Sequence, residues 1–158
     1  MTSPNKEVVS VLNELIEFSK DGEKGFNTSA EDVKNPELKT YFLQRASECG
    51  TAASELQHHV RALGGDPETS TSVSGDLHRK WVSLKSMLTG KDEEAVLNEV
   101  ERGEDHALKA YKDALEKLAK LPMAARSEVI PLVERQYHGV QRNHDQVKAL
   151  RNAARARS

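Results

Sequence analysis

The stretch 101-ERGEDHALKAY-111 decides how this chain is read. Helical spacing joins Leu97, Val100, Glu104, Ala107, Tyr111, Ala114 and Leu118 into one stripe with a period near 3.6 residues. Every member is apolar or aromatic except Glu104. Such a run is a helix that buries one face. An uncompensated carboxylate on that face costs on the order of several kcal/mol. The fold must therefore bring a partner to Glu104.

The same periodicity extends outward in both directions. The spacing predicts a first helix over about 5–33, with Val8, Leu12, Leu15, Ile16, Ser19, Glu23, Phe26, Ala30 and Val33 inward. "KNPEL" ends it and opens a second helix over 36–63. Asn35 suits the N-cap, Pro36 the first helical position, and Glu37 the positive end of the dipole. Leu38, Phe42, Arg45, Cys49, Ala52, Leu56, Val60 and Leu63 face inward. "LGGDP" stops this helix, because Gly takes the left-handed cap and Pro67 cannot continue it.

"ETSTSVSG" reads as a surface loop, and 76–88 as a short helix ending at Thr89-Gly90. Asp92 caps the helix of the opening stretch, which runs over 92–120. "LPMAARS" makes a turn into a last helix over 123–152, started or kinked by Pro131. Its inward stripe is Val133, Tyr137, Val140, His144, Val147 and Arg151.

Two long helices, a crossover carrying a short helix, and two more long helices describe one all-α domain over 1–158, a four-helix bundle of two antiparallel hairpins. There is a faint internal repeat. Gly22-Glu23 matches Gly103-Glu104, and "VRALG" at the end of helix two matches "VKALR" late in the last helix.

Composition narrows the function classes. The chain has 158 residues, 30% of them charged, and a formal net charge of −2. A dedicated nucleic-acid binder would show a basic stripe. Only 151–158 is distinctly basic, which suits a helix C-terminus. No run approaches the roughly 20 apolar residues of a membrane span. "MTSPNKEVV" lacks the apolar core of a signal peptide, so the chain reads as cytoplasmic. The single Cys49 excludes a disulfide framework and falls on an apolar face as inert packing. "TGK" lacks the upstream Gly of a phosphate loop, and no nucleophile motif is present.

Among the polar residues on inward stripes are Glu23, Arg45, Glu104 and His144. Counted back from each hairpin turn, they fall at one level, with Glu48 as an alternative to Arg45 on helix two. The expectation is a layer in which Glu23 and Glu104 are buried within a side-chain length of each other. Either Arg45 or a metal bridges them, and Tyr111 or Tyr137 supplies a remaining hydrogen bond. Glu55-x-x-His58 lies off this level and reads as a solvated face. His59 reads as a packed histidine, and His78, His106 and His138 as surface residues.

The stretches "LIEFSKDGEKGF", "ASELQHHVRALGGDP", "LHRKWVSLKSMLTGKDEEAVLNEVERGEDHALKAY" and "RNHDQVKALR" resemble the ferritin-like superfamily, and within it a bacterial four-helix-bundle family of unknown function. Di-iron members of that superfamily place a Glu on two helices and Glu-x-x-His on the other two. Glu23 and Glu104 match the single Glu positions. Glu48 stands at the layer of helix two, but Thr51 replaces the His. His144 stands on the last helix, but Gln141 replaces the Glu. The resemblance thus implies two readings. The first is a non-catalytic, structural or stress-related bundle with a metal-free layer of Glu23, Arg45, Glu104, Tyr111, Tyr137 and His144. The second is an iron or manganese protein with ferroxidase-like or peroxide-consuming activity, its metal held by Glu23, Glu48, Glu104, Gln141 and His144. Both imply a homo-oligomer, a dimer or larger, with neither nucleic acid nor membrane as partner.

Overall fold

The computed structural model describes residues 4–68, 93–123 and 127–157. It contains α1 (Pro4–Asp32), α2 (Pro36–Ala62), α3 (Glu93–Ala119) and α4 (Val129–Arg157), and no strand among the described residues. The short helix expected over 76–88 and the Asp92 cap lie outside the described residues. Among those described, no helix is long and apolar enough to cross a membrane.

The helix ends follow from local chemistry. The Asn35 side-chain oxygen accepts from the N–H groups of Glu37 at 2.9 Å and Leu38 at 3.4 Å, and Pro36 opens α2. At the other end Gly64 takes a φ of +80°. The N–H of Gly64 then bonds the carbonyl of Arg61, and that of Gly65 bonds Val60, each at 2.9 Å. This pair closes the last turn of α2 in a Schellman motif. The last helix begins at Val129 rather than at the expected 123. Pro131 explains the difference: it fits the first turn, where its missing N–H is not needed, but not a helix interior. The same helix runs past the expected 152 to Arg157, because Ala154 is buried and Arg155 pairs with Glu94 at 2.8 Å.

Cross-links between helices set the topology. The Asn35 amide donates to Glu93 at 2.6 Å, so α2 and α3 start at the same end and run parallel. Lys117 pairs with Glu14 at 3.2 Å, which makes α1 and α3 antiparallel. Asn143 reaches Glu48 and Gln136 reaches the Ala52 carbonyl, so α2 and α4 are antiparallel neighbours. The end of α2 and the start of α3 therefore lie at opposite ends of the bundle. Packing is closest within the pairs α1/α2 and α3/α4, looser between α1 and α3, and looser still between α2 and α4. That loose seam positions the site described below.

The apolar interior falls into two cores. One holds Leu12, Ile16, Leu56, Val60, Tyr111, Leu118 and Val133. The other holds Phe26, Tyr41, Phe42, Cys49, Leu97, Val100 and Val147. Helices α1, α3 and α4 pass from one core to the other through buried polar residues. These are Ser19 and Asp21 on α1, Glu104 on α3 and Asn143 on α4; on α2, Arg45 lies within the second core, between Phe42 and Ala46.

Replacing Asn35 by Ala removes the cap of α2 and its bond to Glu93. Stability should fall by about 1 kcal/mol, read from urea denaturation midpoints. An unchanged midpoint would mean that the cap does not form in solution.

Candidate functional site: a polar layer and an adjoining cleft

The layer is built around one diagonal contact. Arg45 on α2 is 5% exposed and Glu104 on α3 is 2% exposed. The Arg45 Nε donates to both Glu104 carboxylate oxygens at 3.1 and 3.3 Å, and Nη2 donates to Oε1 at 3.0 Å. Spanning the bundle diagonal takes a long side chain, and the planar guanidinium presents two N–H groups to one carboxylate. The guanidinium also lies over the Phe26 ring, 5.1 Å from its centroid. Its Nη1 reaches Glu48 at 3.4 Å. Glu48 accepts further from Asn143 at 2.8 Å and from Gln44 at 3.0 Å. The Tyr41 hydroxyl is buried beside the same charges.

Burial pushes the Glu104 carboxyl above its ordinary range, and Arg45 holds that rise back. Burial alone would lower Arg45, but the facing Glu104 outweighs it, and the guanidinium stays charged. Burial also pushes the Cys49 thiol up to about 11, so it stays protonated at neutral pH.

Five expected members of the layer stand elsewhere, one of them, Tyr111, bonded to Gln136 in the second chain described below. Glu23 is half-exposed, 3.6 Å from Lys20, and its carboxylate folds over Gly50. The buried guanidinium of Arg45 is taken by Glu104, and Glu23 pairs instead with Lys20 on its own helix. His144 sits on the outer α3/α4 seam, its Nε2 2.7 Å from Asp105 and 3.7 Å from Glu101. Arg151 also binds Glu101 there. Gln141 bonds His138 at 2.9 Å on the surface. Tyr137 is partly buried against the first core. The buried polar residues of α4 are instead Gln136 and Asn143, each one position earlier than the expected Tyr137 and His144. Spacing from Val140 and Val147 admits either neighbour, so periodicity alone did not separate them.

These placements bear on a metal. A di-iron site needs several carboxylates and imidazoles converging on one point. Here the guanidinium of Arg45 takes both oxygens of Glu104, while Glu23, Gln141 and His144 point to other partners. Among the described residues, no group of three or more His, Cys, Asp or Glu side chains is arranged to hold a metal ion. The residues present do not fit a di-iron centre.

A second polar chain crosses the α2–α4 seam. The Tyr111 hydroxyl, on α3, donates to Gln136 at 2.8 Å. The Gln136 amide donates to the Ala52 carbonyl at 3.4 Å and to Glu55 at 3.3 Å. Arg135 closes the chain on Glu55 at 2.7 Å. Glu55 is therefore not the freely solvated residue expected from the sequence; it links α2 to α4. His58 is exposed, and its ring stands edge-on to that of half-buried His59 at 6.0 Å. Between the two chains lies a cleft of about 360 Å³, lined by Phe18, Ser19, Glu48, Ala52, Tyr111, Val140 and their neighbours.

Tyr111→Phe leaves the Gln136 oxygen buried without its donor. It should cost about 1–2 kcal/mol in chemical denaturation. A smaller loss would mean that water replaces the hydroxyl.

The Arg135 guanidinium, by hydrogen bonding, holds the Glu55 carboxyl below its ordinary range. A lowered acid stabilises the folded state above the unfolded-state pKa, and that part is lost as pH falls through the folded pKa. The pair is largely solvated, so the effect should stay below about 1 kcal/mol. Glu55→Gln should make the difference between parent and variant vanish as the pH is lowered below the carboxylate range. A gap that persists in acid would contradict the pairing.

The sequence profile described as Domain of unknown function (DUF2383) matches residues 7–117, which takes in α2 and nearly all of α1 and α3. No curated protein matches. Two solved structures are similar over nearly the whole chain. One is a ferritin-like, diiron-carboxylate protein from Bacillus anthracis str. Ames, 20% identical, with a TM-score of 0.72 over 95% of this chain and 99% of that one. The other is a DPS protein from Vibrio cholerae O1, a member of the ferritin-like diiron-carboxylate superfamily. It is 14% identical, with a TM-score of 0.71 over 93% of this chain and 90% of that one. At these identities the likeness concerns the fold: this chain is a ferritin-like four-helix bundle.

Proposed function

Since the chain belongs to the DUF2383 family and has a ferritin-like fold, we propose that it is a non-catalytic bundle protein whose metal level has been taken over by a buried ion pair. The observation that carries this reading is the fork of Arg45 on Glu104, both nearly fully buried. A bound cation would have to displace a guanidinium that already neutralises the carboxylate and is itself held on the Phe26 ring. Displacing it would leave a buried charge unpaired, which typically costs about 3–5 kcal/mol. The bundle then serves a structural or stress-related role in the cytoplasm, as a dimer or larger homo-oligomer.

The test is metal content and metal titration. Protein purified without chelator or affinity tag should carry well under one iron or manganese per chain. Titration with iron(II) under anaerobic conditions should show no saturable site that depends on Glu48 or Glu104. Saturable binding of one or two ions, lost in Glu104→Gln, would establish the alternative, a metal-binding carboxylate bundle. Light scattering on the same sample tests assembly; a monomer would remove the oligomer from the proposal.

A further inference from the structure

We propose that the cleft between α2 and α4 binds a small zwitterion, an α-amino acid with an apolar side chain. Its volume, about 360 Å³, lies at the lower end of the range of small-molecule pockets. That suits a ligand of amino-acid size. Phe18, Ala52, Ala107 and Val140 supply apolar lining, which suits a hydrocarbon side chain.

The charges around the cleft are what narrow the class. Arg45, Glu48, Glu55, Arg135 and Arg142 all line it. Arg45 is committed to Glu104, and Arg135 to Glu55. Glu48 and Arg142 remain. Glu48 is half-exposed, and its closest donors are the neutral amides of Asn143 and Gln44, with Arg45 farther off at 3.4 Å. Glu48, Glu104 and Arg45 together therefore hold one negative charge in excess, which an ammonium group would neutralise. Arg142 is exposed and makes no ion pair among the described residues. Its guanidinium lies over Gly139, one turn along α4 from Asn143, the residue that binds Glu48, so a free cation and an under-compensated anion both line the cleft. A molecule carrying an ammonium and a carboxylate on one carbon, with an apolar tail, matches both charges and the lining between them. Charge-assisted hydrogen bonds at each end would fix its orientation. The inference takes from the ion-pair reading only that Arg45 is spent on Glu104; Glu48 and Arg142, which carry the test, are not members of that pair.

The test uses the full chain and three probes with the same body: L-phenylalanine, 2-phenylethylamine and 3-phenylpropionate. L-leucine is run alongside as a shorter side chain. Calorimetry or ligand-observed NMR should show saturable binding of at least one amino acid. The corresponding amine and acid should bind about tenfold or more weakly, each lacking one charged contact. Glu48→Gln should weaken the amino acid and the amine but not the acid. Arg142→Met, at an exposed position that leaves the fold intact, should weaken the amino acid and the acid but not the amine. Absence of binding by both amino acids would overturn the proposal. So would binding indifferent to both substitutions, or an amine that binds as tightly as phenylalanine.

Discussion

Glu104→Gln should destabilise the protein by about 3–5 kcal/mol, the typical cost of breaking a buried ion pair by removing one partner. The amide keeps the shape of the carboxylate but not its charge. Arg45, 5% exposed, cannot turn to water. The nearest remaining anion is Glu48, reached only by Nη1 at 3.4 Å. In a thermal scan the loss corresponds to a melting temperature lower by on the order of 10 °C. The loss is the same with and without chelator, since Glu104's partner is a side chain. A loss that shrinks once the parent has been stripped with chelator would point to a metal as the partner.

Phe26→Ala should have the second large effect, also about 3–5 kcal/mol. The ring is 5% exposed and packs against Tyr41 and Phe42, with centroids 6.3 and 5.9 Å away. Its removal opens a cavity in the second core and also takes the aromatic face from under Arg45. A desolvated cation–π contact adds about 2 kcal/mol. Phe26→Leu separates the parts, because it restores much of the volume without the ring. Its cost should be smaller in an Arg45→Met background than in the parent. Equal costs in the two backgrounds would show that the ring acts by volume alone.

These effects trace back to how much of the layer the sequence already displays. The stripe from Leu97 to Leu118 is long and strictly periodic, so the helix and the inward position of Glu104 are legible in it. Arg45 is legible for the same reason, as the one cation on the stripe of α2. The ends of α2 are spelled out locally by Asn35-Pro36 and Gly64-Gly65, whose chemistry needs no distant partner.

What was not legible depends on contacts between helices. Glu23 and Glu104 occupy matching places in the repeat, yet only Glu104 has a cation across the bundle. Arg45 forks onto Glu104, while Glu23 pairs with Lys20 on its own helix. On α4 the error was one residue of rotation. Steps of three and four residues both fit a 3.6 period, and His144 was more conspicuous than Asn143. Glu55 was misplaced because its partners, Arg135 and Gln136, lie on another helix, and nothing in α2 announces them. The start of α4 was set by Pro131, whose two possible readings, kink or first turn, only the packed structure separates.

The most direct test of the ion pair is the double-mutant cycle of Arg45→Met with Glu104→Gln, measured by equilibrium denaturation in the presence of chelator. Met keeps much of the volume of Arg and removes the stranded cation. The account predicts that the double variant recovers most of the stability lost in Glu104→Gln, with a coupling of about 2 kcal/mol or more. A double variant as unstable as the sum of the two single variants would show that Arg45 and Glu104 do not stabilise one another, and would contradict the account.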